Sequence, residues 1–73
     1  MDDPREQFAH CVQVFGGPTP AARRLGIDER AIRRFASGER PVSATLLDDT
    51  AKALDALMAE ATAARQAIAE SRR

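Results

Sequence analysis

The sequence has few of the side chains on which catalysis and metal binding usually depend. It contains one Cys, one His, and no Trp or Tyr. A single Cys cannot form an internal disulfide, and one Cys with one His cannot complete a tetrahedral zinc site. His10 and Cys11 are adjacent, so on a helix they would point about 100° apart, which does not favour a base beside its nucleophile. We therefore expect no catalytic residue, metal or cofactor, and we expect Cys11 to be a small core residue in a reducing compartment.

Net charge and long apolar runs are also absent. The 11 basic and 11 acidic side chains give a formal net charge of zero. No apolar run approaches the roughly 18 residues of a membrane span, and the acidic N-terminus argues against a signal peptide. The 73 residues make one domain, and a domain this small buries only about 60% of its unfolded surface. We expect a cytoplasmic protein, with no membrane or small-molecule partner, that a second copy of the chain helps to stabilise.

Helix-starting and helix-ending residues predict an all-α fold of about four helices. Asp3 can cap a first helix that begins near Pro4 and ends at Gly16. Thr19 is expected to cap a short second helix that Pro20 would open. The apolar face of the first helix comprises Phe8, Cys11, Val12 and Phe15.

Residues 21–38 predict two short helices around a tight corner at Gly26. Gly leaves a helix in the left-handed conformation without steric cost, and Asp28 can cap the next helix, expected over residues 28–37. The side chains expected to face the core are Ala22, Leu25, Ile27, Ile32, Phe35 and Ala36. The side chains that remain outside are Glu29, Arg30, Arg33, Arg34 and Ser37. An arginine-rich face of this kind can also be an ordinary solvated surface. Its function therefore has to be judged together with the turn at Gly26.

The charges are distributed unevenly along the chain. Residues 21–40 hold six Arg against three acids, whereas residues 48–60 hold four acids against Lys52. Lys52 is the only lysine, and Arg offers the planar donor fork that suits phosphate and guanine. A genome rich in G and C would also favour Arg and Ala, which explains part of this composition. Positive charge is nevertheless concentrated at the predicted corner.

The corner resembles the helix-turn-helix of the phage repressor and Cro type of DNA-binding protein. The likeness depends on a small residue followed by Leu25-Gly26-Ile27, and then on Ile32 and Phe35. It covers residues 18–38 closely and residues 18–57 loosely. The family often begins its first motif helix with a Gln that contacts a phosphate, where this chain has Pro18.

The resemblance implies that the helix over residues 28–37 is a recognition helix that enters the major groove by its N-terminal end. It makes Arg30, Arg33 and Arg34 the base-reading candidates, with Glu29 either accepting from cytosine or only favouring the helix N-terminus. The phosphate-contact candidates are Thr19, Arg23, Ser37, Gly38 and Arg40. Arg23 also has a simpler explanation, because a cation is favoured near the C-terminal end of a helix.

A long last helix is predicted from Ala44 to Ser71, because this stretch has no Gly or Pro and Ser43 can cap it. It would be about 40 Å long, so its distal half is expected to project or fold back. A frayed tail from about residue 62 is the alternative. The expected dimer interface comprises Leu54, Leu57, Met58, Ala61, Ala64 and Ile68. The chain is thus divided into a helix-turn-helix domain, residues 1–58, and an extension for dimerisation, residues 59–73.

These features predict a sequence-specific regulator of double-stranded DNA. We expect a dimeric repressor that binds a palindromic operator of its own operon in a phage or mobile element, of the antitoxin-type or anti-CRISPR-associated kind. The alternative is a protein-interaction module, an antitoxin or inhibitor, that uses the helix-turn-helix as a scaffold. RNA binding is disfavoured because Tyr and Trp are absent and the three Phe are expected to be mostly core.

Overall fold

The computed structural model describes residues 2–72, and this part of the chain contains four α-helices and no strand. The helices are α1 (Pro4–Phe15), α2 (Pro18–Leu25), α3 (Glu29–Ser37) and α4 (Ala44–Ser71). The expected all-α fold with a long last helix is therefore confirmed. The expected domain ranges begin at Met1 and end at Arg73, which both lie outside the described residues.

The core lies where α1 crosses the two motif helices and the first half of α4. Phe8 of α1 and Ile32 of α3 are both fully buried. The rings of Phe8 and Phe35 meet edge to face, with centroids 5.8 Å apart and an interplanar angle of 71°. Cys11 is half-buried against this core, which agrees with its expected role as a core residue. Thr50 is buried, and its hydroxyl is satisfied because it donates to the carbonyl oxygen of Leu46 in the preceding turn (2.7 Å).

The predicted caps at the starts of α1 and α4 are confirmed by hydrogen bonds. The Asp3 carboxylate accepts from the Arg5 N–H (2.9 Å) at the start of α1. The Ser43 hydroxyl accepts from the Leu46 N–H (3.0 Å) at the start of α4. Both contacts satisfy backbone donors that have no partner inside the helix.

The prediction that Thr19 caps α2 is wrong. The helix begins earlier, at Pro18, and Gly17 is its N-cap, without a side-chain cap. Pro18 fits the first helical position because its φ is already close to helical and its missing N–H would have no partner there. Pro20 lies in the same first turn, where a backbone N–H is likewise not needed.

The contact of α2 with the core is centred on Ala21 rather than on Ala22. Ala21 is fully buried, whereas Ala22 is half-buried beside it. Ala22, which the sequence predicted to face the core, packs against it from this half-buried position.

The apolar contacts of α4 with the rest of the protein come from its first half. The half-buried residues that hold it there are Leu46, Leu47, Ala53, Leu54 and Leu57. Every residue from Met58 to Arg72 is exposed, and the helix continues unbroken to Ser71. The distal half therefore projects from the domain, and the chain with this projection measures 50 × 23 × 17 Å along its principal axes. Within residues 2–72, no helix has both the length and the apolar character needed to cross a membrane.

Candidate nucleic-acid interface

The corner at Gly26 determines which side of α3 faces the core. Gly26 has φ 67°, and its N–H donates to the Ala22 carbonyl oxygen (2.9 Å), which closes α2. The Asp28 side chain then accepts from the Arg30 N–H (3.2 Å) and caps α3, as expected. Because Ile32 of α3 is fully buried, the core-facing side of this helix is the one that carries Ile32, and the opposite side is exposed. That exposed side carries Arg30, Arg33, Arg34 and Ser37.

Glu29 is engaged at both of its carboxylate oxygens. Its Oε1 forms an ion pair with the Arg33 Nη2 (2.6 Å), one turn further along α3. Its Oε2 accepts a hydrogen bond from the Thr19 hydroxyl of α2 (3.0 Å). Thr19 thus lies beside the start of α3 and links the two motif helices, although it is not the cap that the sequence predicted. This arrangement holds Arg33 along the helix.

The other two arginines of the exposed side are less restrained. The Arg34 Nε lies 3.9 Å from a Glu39 carboxylate oxygen, a contact too long for a hydrogen bond. Within residues 2–72, no ion pair or hydrogen bond engages the Arg30 guanidinium. Arg30 is also the closest of the three to the N-terminal end of α3. Its donors are therefore available to a ligand that approaches this end.

Backbone and side-chain contacts order the loop that follows α3. The Ser37 hydroxyl donates to the Arg34 carbonyl oxygen (3.2 Å) and accepts from the Glu39 N–H (3.4 Å). The Arg40 N–H also donates to the Arg34 carbonyl oxygen (3.1 Å). The Arg40 guanidinium lies over the Phe35 ring, 5.7 Å from its centroid. Ser37 at the end of α3 therefore helps to order this loop, which places the Arg40 guanidinium close to Phe35.

Arg5 of α1 joins this region, which the sequence did not predict. Its Nη1 donates to the Ala36 carbonyl oxygen in the last turn of α3 (3.2 Å), across 31 residues of sequence. Its aliphatic stem passes close to Gly38, where an added Cβ would lie 2.9 Å from the Arg5 Cδ. Gly38 therefore has two roles, since it ends α3 in a left-handed conformation and leaves room for Arg5.

The two arginines at the end of α2 differ in their surroundings. Arg24 forms a bidentate ion pair with Glu60 of α4, with two N–O distances of 2.8 Å. These hydrogen bonds, and the attraction between the charges, lower the pKa of Glu60 and raise the pKa of Arg24. Arg23 is exposed and lines a cleft of about 390 Å³ between α2 and α4. Arg24 thus holds α4 to the motif, whereas Arg23 remains available as a phosphate candidate.

The six residues expected at a dimer interface fall into two groups. Leu54 and Leu57 are half-buried and already pack on the core of their own chain. The other four, on the projecting half of α4, are exposed: Met58, Ala61, Ala64 and Ile68. A partner would therefore meet the second group fully and the first group only at its outer edge.

No group of three potential metal-binding side chains occurs within residues 2–72. Comparison of the chain with protein-family models, with curated proteins and with solved structures found no match. The exposed side of α3, together with the loop after it, is therefore the basis for assigning a function.

Proposed function

We propose that this protein is a sequence-specific double-stranded DNA-binding regulator that inserts α3 into the major groove. The supporting observation is that a short helix, fixed by a buried Ile32, presents three arginines on its exposed side. The major groove is about 12 Å wide and accepts an α-helix, and Arg is the side chain that most often reads guanine. The zero net charge of the chain is compatible with this role, because three of its arginines lie together on the exposed side of α3.

The contacts in the structure suggest which of these side chains contact bases and which contact phosphates. Arg30 has an unengaged guanidinium at the leading end of α3, so we assign it the principal base contact. Arg34 is the second base-reading residue, and Glu29 orients Arg33 rather than contacting cytosine. The proposed phosphate contacts are Thr19, Arg23, Ser37, Gly38 and Arg40.

The regulator is proposed to be a homodimeric repressor of its own operon in a phage or mobile element, of the antitoxin-type or anti-CRISPR-associated kind. One recognition helix reads only a few base pairs, whereas a two-fold dimer reads a palindrome with half-sites about 34 Å apart. We further propose that it acts in the cytoplasm, without catalytic activity, cofactor or small-molecule ligand. The alternative, a protein-interaction module, is favoured by one observation, the exposed half of α4 from Met58 to Arg72.

A mobility-shift assay with DNA from immediately upstream of the protein's own gene tests the proposal. Arg30→Ala should weaken operator binding by about 1–3 kcal/mol and change binding to random DNA much less. Lys52→Ala, which removes an exposed cation on α4, is the matched control and should leave both affinities unchanged. Binding should also fall steeply between about 50 and 200 mM salt. No binding at low salt, or equal losses for both variants, would contradict the proposal.

A further inference from the structure

The protein exposes more surface than a compact single chain of its mass. A monomer of 7.9 kDa is expected to expose about 4,400 Å², whereas this chain exposes 5224 Å². The radius of gyration is 14.2 Å, against about 11 Å for a compact chain of this length. The excess of about 800 Å² is close to what each partner buries in a protein interface of standard size.

The exposed apolar surface forms one continuous band. A groove of about 470 Å³ runs between α1 and α4, and its lining includes Cys11, Ala51 and Leu54. Val14 lies one turn beyond Cys11 on α1, and Met58 lies one turn beyond Leu54 on α4, so both continue the lining. Val14 and Met58 are 51% and 66% exposed. The third large apolar side chain that is exposed within residues 2–72 is Ile68, further along α4 at 59%.

The spacing of the apolar residues on α4 is symmetric about Ala61. Leu54 and Ile68 lie at equal distances on either side of it, and so do Met58 and Ala64. Two antiparallel copies of α4 that cross at Ala61 would therefore place Ile68 of one beside Leu54 of the other. Small residues at the crossing point allow the two helices to approach closely.

The charges on α4 also favour the antiparallel orientation. The half before Met58 carries three acids against Lys52, whereas the part after Ala61 carries Arg65 and Arg72 against Glu70. Antiparallel packing lays the basic part of each helix along the acidic half of the other. Parallel packing would oppose acids with acids and arginines with arginines, which is unfavourable. Glu60 does not contribute, because Arg24 of its own chain already binds it.

We infer that two copies of this chain associate through antiparallel α4 helices that cross at Ala61, with each Ile68 entering the partner's groove beside Cys11. This inference rests on the homodimer in the proposed function and specifies its geometry. It adds α1 to the interface, through Cys11 and Val14. The dimer would also cover the excess surface and all three exposed large apolar side chains.

Cross-linking of Ile68→Cys with a short bismaleimide tests this geometry without DNA, so its outcome is independent of operator binding. In the otherwise unmodified chain, the introduced thiol should couple to the partner's Cys11, and mass spectrometry of the linked peptides would identify the pair. Adding Cys11→Ser should abolish this dimeric product. Ala63→Cys, on the opposite side of α4, is the matched control and should give little product. In the double variant Ala61→Cys with Cys11→Ser, the introduced thiol should cross-link to the same introduced thiol of the partner chain.

Three results would overturn the inference. A parallel dimer would cross-link Ile68→Cys to itself, and that product would persist after Cys11→Ser. Product no greater than that of Ala63→Cys would exclude this face as the interface. Sedimentation of the unmodified protein as a monomer at tens of micromolar would exclude the dimer altogether. Circular dichroism of each variant checks that the helices are intact, so a lost product cannot be ascribed to unfolding.

Discussion

Replacing Phe35 with Ala tests whether α3 faces the core as described. Phe35 is half-buried, and its ring packs edge to face on that of Phe8, 5.8 Å away. A buried Phe to Ala change costs about 3–5 kcal/mol, and an aromatic pair contributes about 0.5–1.5 kcal/mol of its own. Because Phe35 is partly exposed, we expect the lower end, about 3 kcal/mol. The change also removes the ring beneath the Arg40 guanidinium.

This loss is large for a domain of 73 residues. At about 0.05–0.15 kcal/mol per residue, the free energy of unfolding is about 4–11 kcal/mol in total. A loss of about 3 kcal/mol should lower the Tm by roughly 12–24 °C, measured by thermal melting with circular dichroism. Arg30→Ala, on the exposed side of the same helix, is the control and should change stability by less than about 0.5 kcal/mol.

The two variants should therefore separate folding from binding. Phe35→Ala should lose stability, and with it operator affinity near its melting range, whereas Arg30→Ala should lose operator affinity alone. If Phe35→Ala melted within a few degrees of the parent, the assigned rotation of α3 would be refuted. The arginines would then no longer be fixed on the outer side of the helix, and their proposed contacts with bases would lose their basis.

Two further predictions concern contacts between distant parts of the chain. The Arg24 ion pair lowers the pKa of Glu60, so the stabilising effect of the pair should be present at neutral pH and be lost as pH falls through that lowered pKa. The difference in Tm between the parent and Glu60→Gln should therefore shrink on acidification. A difference that stayed constant would contradict this prediction. Gly38→Ala should lower the Tm, because Gly38 has φ 87° and an added Cβ would meet the Arg5 Cδ at 2.9 Å. The loss should be smaller when Arg5→Ala is already present, and strictly additive losses would exclude the steric contact.

Much of the fold could be predicted because its signals are local. The corner at Gly26 and the caps at Asp3, Asp28 and Ser43 each depend on residues within a few positions of one another. The absence of Gly and Pro was enough to predict the length of α4. The start of α2 was mispredicted because two prolines and a Thr within three positions offer more than one possible helix start. Gly17, which has no polar side chain, gave no signal that it would be the cap.

The exposed residues of the candidate site could be predicted from the sequence, but the contacts that join the site to other helices could not. Helical spacing predicted which residues of α3 point outwards, and Glu29 with Arg33 has the spacing of a common ion pair. The contact between Arg5 and Ala36 joins residues 31 positions apart, and the Arg24 ion pair spans 36 positions. No local pattern encodes such contacts, because they depend on how the helices pack. The link between Thr19 and Glu29 likewise depends on the angle at the corner.

In the proposed dimer, these distant contacts would affect how α4 orients the two α3 helices. Within residues 2–72, no residue of α3 has its Cα within 8 Å of a Cα of α4, so α3 packs on α1 and α2 and is joined to α4 by the loop over residues 38–43. Phe8 and Arg5 hold α3 to α1, α4 packs on α1 and α2, and the exposed Arg24 ion pair adds one contact between α2 and α4. Operator spacing in a dimer would therefore depend on residues that touch neither DNA nor the partner.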